Sequence, residues 1–339
     1  MLFSQSIQKP RMMKRRDLLK YGAACSAALA LPVQQVRRVE AATSMSFQFD
    51  WKFNAQFAGV FVGIDAGLYA EKGIALEPRP WSDGVNVVAE VAMGKADFAC
   101  AEQNLILAAQ ADGAPVKAIA TMFKASPYGL MTTPNQSLSS LADLRGKRVG
   151  VHLDGLKIMA LVKGVNGIED IEVVEIPYSN KYERVLSGEF AAVQCYVIDE
   201  PIGVAKQFGV EPKVLKLSDH GLLSTAQTIV ASEATLADKP ELVRAAMAAT
   251  FEGWKRALAD KPKTAAMIVE KFVPEGSPYK DVAYQTRTLE LLEPYVTAGG
   301  RLGEIDPTVW KKAAELMMEY GILESLPDLT STLAPGFVS

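Results

Sequence analysis

Four aromatic rings and a set of carboxylates mark where this chain can do chemistry. Trp51, Phe57, Tyr178 and Tyr196 offer flat faces for stacking, while Glu102, Asp199 and Glu200 offer hydrogen-bond acceptors. That combination suits a planar heterocycle bearing amino donors. A small inorganic anion would call instead for Arg or for several helix N-termini. Each ring taken singly is equally open to a reading as core filling. The sequence holds no Ser-His-Asp order, no G-x-S-x-G elbow, no G-x-x-x-x-G-K-[ST] and no G-x-G-x-x-G. Glu102 and Glu200 are open to an acid–base pairing, but carboxylates in a cleft serve as readily as acceptors, so binding without turnover is the expectation. Two histidines, His152 and His220, with no Cys/His spacing give no reason to expect a metal or a cofactor.

The elements that must position these residues alternate short apolar strands with longer helices, the pattern of a largely parallel α/β fold. Phe47, Phe49 and Trp51 alternate as a strand, Lys52 to Asn54 make a polar turn, and an apolar helix follows whose end is marked by Gly67 and Gly73. If ligands gather at strand C-termini, as they do in open α/β sheets, four segments face a crevice. These are Trp51 to Gly59, then Ala101-Glu102-Gln103-Asn104, then His152-Leu153-Asp154-Gly155, and Tyr196 to Pro201. The expected ligand contacts are Trp51, Asn54, Phe57, Gly59, Glu102, Gln103, Asp154, Gly155, Tyr178, Tyr196 and Glu200. A helix–Gly–strand unit occurs twice, around Gly94 and around Gly188, so the chain reads as two similar α/β halves. Residues 46–131 are assigned to a first lobe, 132–228 to a second, and 229–339 to a return with long amphipathic helices from Pro240, Pro262 and Pro307. Two crossings between lobes make a hinge with a cleft.

A chain of 339 residues exceeds one ordinary core, consistent with two lobes. At the N-terminus Lys14-Arg15-Arg16-Asp17-Leu18-Leu19-Lys20 precedes an apolar run from Tyr21 to Val33 that is short for a membrane span. This has the form of a twin-arginine export signal over residues 1–42, with a small-residue cleavage step near Val39-Glu40-Ala41. An uncleaved anchor and a lipoprotein at Cys25 are the alternatives. Without residues 1–42 the chain keeps 28 basic and 37 acidic residues, a net of −9, which disfavours nucleic acid and anionic lipid as partners. Cys100 and Cys195 lie in apolar strand-like segments and are expected as two buried thiols.

Four stretches taken together carry a resemblance. They are D-W-K-F-N-A-Q-F-A-G with G-L-Y-A-E-K-G-I, then G-K-A-D-F-A, then L-A-D-L-R-G-K-R-V-G-V, and Y-V-I-D-E-P. The chain over roughly residues 46 to 325 resembles the extracytoplasmic substrate-binding proteins of ABC importers, in the thiamine-pyrimidine-precursor branch with relatives for sulfonates, nitrate and riboflavin. The resemblance implies a two-lobed, type II-like periplasmic binding fold with two crossover strands. It also implies one small-molecule ligand, an ABC permease in the inner membrane as partner, a monomer and a periplasmic location. Where relatives in this branch often carry His, this chain has Phe57, which implies a greasier pocket. The same family contains single-turnover thiamine pyrimidine synthases that use a pyridoxal phosphate lysine, a substrate histidine and a cysteine-rich iron motif. Their lysine and histidine align with Ala101 and Leu105, and their cysteine run with Ser224 to Thr228, so the resemblance to the synthases does not extend to their chemistry. A sensory input domain is a further alternative, one that would need an output module.

Overall fold

Two five-stranded sheets carry the chain, each with an α-helical cover, in a computed structural model that describes residues 41–178 and 180–338. The twin-arginine motif and Cys25 lie outside the described residues. The first sheet is built from β1 (Thr43–Gln48), β2 (Ile74–Arg79), β3 (Phe98–Ala101) and β4 (Val116–Phe123), and takes back β10 (Ala226–Ser232) after the excursion to the second lobe. The second sheet holds β5 (Tyr128–Thr132), β6 (Arg148–Val151), β7 (Glu172–Glu175), β8 (Ala192–Tyr196) and β9 (Lys213–Lys216).

The orders β2-β1-β3-β10-β4 and β7-β6-β8-β5-β9 are the same pattern twice. In each, three parallel strands are followed by one strand that runs antiparallel to both of its neighbours. The sheets are therefore mixed rather than largely parallel. The antiparallel member in each is the strand next to an interlobe crossing: β10 returns from the second lobe, and β5 has just entered it. The crossings fall slightly earlier than sequence boundaries at 131/132 and 228/229 imply. Tyr128–Thr132 already pairs in the second sheet, and Ala226–Ser232 pairs wholly in the first. The turn-forming stretch after Thr132 is a loop within the second lobe, and the crossing itself is the short Lys124–Pro127 segment.

Helices follow local signals closely. In α2 (Val87–Ala92), Asn86 caps the first turn by accepting from Ala89 N. The helices α3 (Gln103–Ala111), α4 (Leu153–Val165), α5 (Lys181–Leu186) and α6 (Glu200–Phe208) each begin just after a strand or turn that opens on the cleft. After α7 (Glu233–Asp238) come α8 (Pro240–Ala259), α9 (Lys261–Lys271), α10 (Val282–Thr297) and α11 (Pro307–Glu319); α8, α9 and α11 have Pro in the first turn, where its missing N–H costs nothing.

The first lobe's core is a ladder of rings. Phe49 stacks on Phe57 at 4.1 Å, and Phe61 meets Phe49 edge-on at 5.6 Å. Helix α1 (Ala58–Asp65) lies against α8, and the two backbones touch through glycines: a Cβ on Gly253 would sit 2.0 Å from Gly59 O, and one on Gly59 would sit 2.2 Å from Trp254 Cδ1. Trp254 and Trp310 are fully buried, and truncating either to Ala costs about 3–5 kcal/mol. Cys100 and Cys195 are both free and buried, one in each sheet. Among the described residues no helix is long and apolar enough to cross a membrane.

Candidate ligand site

Three carboxylates from three strand ends converge on the cleft, and among the described residues none of them is paired with a cation. Asp50 follows β1 and accepts from Gln227 Nε2 at 3.0 and 3.1 Å and from Cys100 Sγ at 3.7 Å. Glu102 follows β3 and accepts from Ser126 Oγ at 3.2 Å and from the Tyr196 hydroxyl; its second oxygen, Oε2, is buried with no partner among the described residues. Asp154 sits in the first turn of α4 and accepts from the Tyr128 hydroxyl at 2.7 Å and Gln194 Nε2 at 3.3 Å.

All these donors are neutral, so little offsets the loss of hydration. Burial first, and the neighbouring carboxylates second, push Asp50 up to about 7 and Glu102 up to about 8. Burial likewise raises Asp154, against the pull of its hydrogen bonds and of the Lys181 ammonium. Gln227 presents its amide to Asp50 from a left-handed backbone at φ 50°, a conformation that costs a side-chain-bearing residue roughly 1 kcal/mol or more. The left-handed residue aims its donor at a half-buried carboxylate.

Flat faces stand beside these acids. The Trp51 indole stacks on Trp81 with centroids 5.6 Å apart and meets Tyr178 at 5.1 Å, and Trp81 meets Tyr178 at 4.6 Å. Tyr178 also stacks on His152 at 3.8 Å. Trp51 and Trp81 come from the first lobe, Tyr178 and His152 from the second, so the aromatic group spans the cleft. His152 Nδ1 lies 3.1 Å from Ile176 O and Nε2 lies 3.1 Å from Lys181 Nζ. A carbonyl only accepts and an ammonium only donates, so Nδ1 carries the proton and Nε2 accepts. Burial and then the Lys181 charge drive this imidazole down to about 3, and it is neutral at physiological pH.

Glu200 differs from the other acids, because Lys181 forms a buried ion pair with it, with side chains 4% and 8% exposed. Tyr196 N donates to its Oε2 at 2.7 Å and the Tyr182 hydroxyl to Oε1 at 3.4 Å. Lys181 donates further to Gln194 O at 3.1 Å.

The expected residues divide accordingly. Trp51, Glu102, Asp154, Tyr178 and Tyr196 are brought together at the cleft, and Glu200 lies beside them, occupied by Lys181. Phe57 is a core ring stacked on Phe49, and Gly59 is the contact point of α1 with α8. Asn54 is buried and caps the turn at Ala55–Phe57 by accepting from Gln56 N at 2.7 Å. Gln103 fastens the second crossing by accepting from Thr225 N at 2.8 Å. Gly155 lets Gln194 approach: a Cβ there would lie 2.1 Å from Gln194 Oε1, the atom that accepts from His152 N at 2.8 Å. Sequence reasoning passed over Asp50, Trp81, Tyr128, Lys181, Gln194 and Gln227, and placed His152 in a cleft segment without counting it a ligand contact. For Asp50 and Trp81 the signal was present, since each adjoins a turn at a strand end.

A cavity of about 500 Å³ lies elsewhere, lined by Thr121, Lys124, Thr225, Glu304 and Asp306 among others. It has no aromatic face, and Lys124 is engaged with Glu304 O. The chemistry of the carboxylate cluster makes that cluster the stronger candidate. Among the described residues no three His, Cys, Asp or Glu side chains are placed to share a metal ion.

Comparison with known proteins gives three kinds of relative. The model of the family described as NMT1/THI5 like matches residues 54–265. The riboflavin-binding protein RibY of Chloroflexus aurantiacus is 29% identical over 296 residues, 84% of this chain and 83% of the relative. A 4-amino-5-hydroxymethyl-2-methylpyrimidine phosphate synthase of Legionella pneumophila is 30% identical over 155 residues, 45% of this chain and 47% of the relative. Among solved structures, the periplasmic aliphatic sulphonate binding protein SsuA of Escherichia coli aligns with a TM-score of 0.67 at 14% identity, over 86% of this chain and 92% of that one. The last likeness is one of fold, two α/β lobes in the periplasmic-binding-protein arrangement.

Pyridoxal phosphate does not fit at the aligned lysine position. Ala101 is a fully buried methyl at the end of β3, Leu105 has no imidazole, and Thr225 and Thr228 in the place of the cysteine run are hydrogen-bonded to each other at 3.2 Å. The buried lysine of the cleft, Lys181, is committed to Glu200, His152 and Gln194.

Proposed function

The chain belongs to the NMT1/THI5-like family, and from that premise we propose that it is an exported solute-binding protein. It holds one small planar heterocycle between its lobes and delivers it, as a monomer, to an ABC permease. The heterocycle carries amino or ring N–H donors, as an aminopyrimidine thiamine precursor or a flavin does. The observation that carries this reading is the convergence of Asp50, Glu102 and Asp154, without a paired cation, on a group of stacked rings. A donor-bearing ring that binds with loss of the Glu102 proton supplies what Glu102 Oε2 lacks among the described residues, a hydrogen bond in a dry site, where an unmade bond costs about 1–3 kcal/mol. Sulfonate and nitrate are disfavoured, since neither carries an N–H donor and no cation among the described residues is paired with these acids to balance a bound anion. Export by the twin-arginine route rests on Arg15-Arg16 and the apolar run behind it.

Calorimetric titration of protein stripped of ligand by unfolding and refolding tests the reading. The panel is riboflavin, 4-amino-5-hydroxymethyl-2-methylpyrimidine, an alkanesulfonate and nitrate. Binding of a donor-bearing heterocycle with no heat from the anions is the expected result. Binding of the anions alone, or silence from every compound, counts against it. Replacement of Arg15 and Arg16 by Lys is expected to leave the protein in the cytoplasm.

A further inference from the structure

We propose that Asp199 is an interlobe latch, a positioning residue that ties closure of the two lobes to the orientation of the Trp51 indole. The proposal rests on the reading of Trp51 as a ligand-stacking residue and adds to it how that ring is held.

Asp199 occupies the N-cap position of α6 in the second lobe, where an aspartate ordinarily accepts from the backbone N–H groups of the first turn. Its side chain makes no such bond. It turns instead to the first lobe and is 1% exposed. Oδ2 accepts from Gln56 Nε2 at 2.9 Å and from the Tyr279 hydroxyl at 3.3 Å, and Oδ1 accepts from the Tyr284 hydroxyl at 2.6 Å. Gln56 lies in the turn that leads into α1. Tyr279 and Tyr284, just before and within α10, belong to the same buried cluster as Phe47 and Phe61. Every side-chain donor to this one second-lobe carboxylate thus comes from the body of the first lobe. Opening the cleft removes all three together.

The Tyr279 hydroxyl makes the link to the ligand face. It donates to Asp199 and accepts from Trp51 Nε1 at 2.7 Å. The relay Trp51 to Tyr279 to Asp199 fixes the plane of the indole that stacks on Trp81 and Tyr178. None of the donors carries charge, so the latch works through acceptor geometry rather than an ion pair, and an asparagine that keeps one carbonyl acceptor retains much of it.

Small-angle scattering and urea unfolding of the full-length chain, without added ligand, test the latch. Three hydrogen bonds of ordinary net strength shift the ratio of open to closed forms by about 10- to 1,000-fold. Asp199→Ala is therefore expected to raise the radius of gyration by about 1 Å over the roughly 20 Å of a compact chain of this length. Asp199→Asn is expected to recover most of that change. If Asp199→Ala folds poorly, the Gln56→Ala/Tyr284→Phe pair reads the same opening from the other lobe. A lowered urea midpoint with an unchanged radius in both would reduce Asp199 to a structural role and overturn the proposal. Tyr279→Phe separates the second link. It removes one of the three latch bonds, so it is expected to raise the radius by less than Asp199→Ala does while weakening riboflavin or aminopyrimidine binding about fivefold, and unchanged affinity would break the relay to Trp51. A chain that binds nothing in the panel but opens on Asp199→Ala would retain the latch and lose the ligand reading.

Discussion

Glu102 and Glu200 both stand just beyond a strand end at the cleft, both are buried, and both contact Tyr196, yet they differ in one respect. Glu200 has Lys181, two further donors and a closed set of hydrogen bonds. Glu102 has a serine, a tyrosine and one oxygen with no partner. Folding supplies Glu200 with its cation, whereas Asp50 and Glu102 in the first lobe and Asp154 in the second are left to neutral amides, a thiol and hydroxyls. A carboxylate already paired is part of the scaffold. On the proposed reading, a buried carboxylate left short of donors is held ready for a molecule that brings them.

The largest effect expected from breaking that contrast is on stability. Lys181→Met leaves Glu200 buried and unpaired and is expected to cost about 3–5 kcal/mol by urea unfolding, with most of it restored by adding Glu200→Gln. A similar loss that the second substitution does not restore would show that Lys181 acts mainly through His152 and Gln194. Next comes the pH dependence. Asp50, Glu102 and Asp199 sit near 7, 8 and 7 in the folded chain against ordinary values of 3.8, 4.5 and 3.8, so the folded state holds protons that the unfolded state releases. Their contribution is full below about 4 and is lost as pH rises through 7 to 8. His152 has the opposite sign: lowered to about 3, it withdraws stability as pH falls below its ordinary 6.5. These raised groups outweigh His152 and give a net fall in stability between pH 5 and pH 8, on the order of a few kcal/mol by urea unfolding. Glu102→Gln should flatten the alkaline end of that fall while weakening heterocycle binding at pH 9, where Glu102 is ionised, roughly 10- to 100-fold, since hydrogen bonds to a charged group are worth about 1.5–3 kcal/mol. A stability rise from pH 5 to pH 8 would contradict the assignment. The smallest effect belongs to Gln227→Gly. It relieves the left-handed backbone and removes the donor to Asp50, so stability should move by no more than about 1 kcal/mol while affinity drops.

The strand ends that form the cleft were legible because they obey local rules: alternating apolar residues, then a turn, then a capped helix. Trp51, Glu102, Asp154, Tyr178 and Tyr196 could be found that way. What local pattern does not encode is which acid receives a partner. Lys181 lies in N-K-Y-E-R, a run that reads as a solvated helix face, and it is buried only because β8 and the start of α6 close over it. Asp50 adjoins Trp51, yet its donor Gln227 is 177 residues away. Phe57 and Gly59 share the Trp51 segment, but once the helix begins, its period turns them to the inner face against Phe49 and α8. The mixed sheets were missed for a related reason: strand direction at a crossing is set by where the chain returns, which no short window contains.

The most direct test of the account is native mass spectrometry of the full-length protein purified without unfolding from its own source, compared with the Glu102→Gln variant. The account predicts one bound nitrogen heterocycle with amino or ring N–H donors, present on the wild-type chain and lost from the variant. An alkanesulfonate or another anion in its place, or a heterocycle retained equally by both, would contradict it.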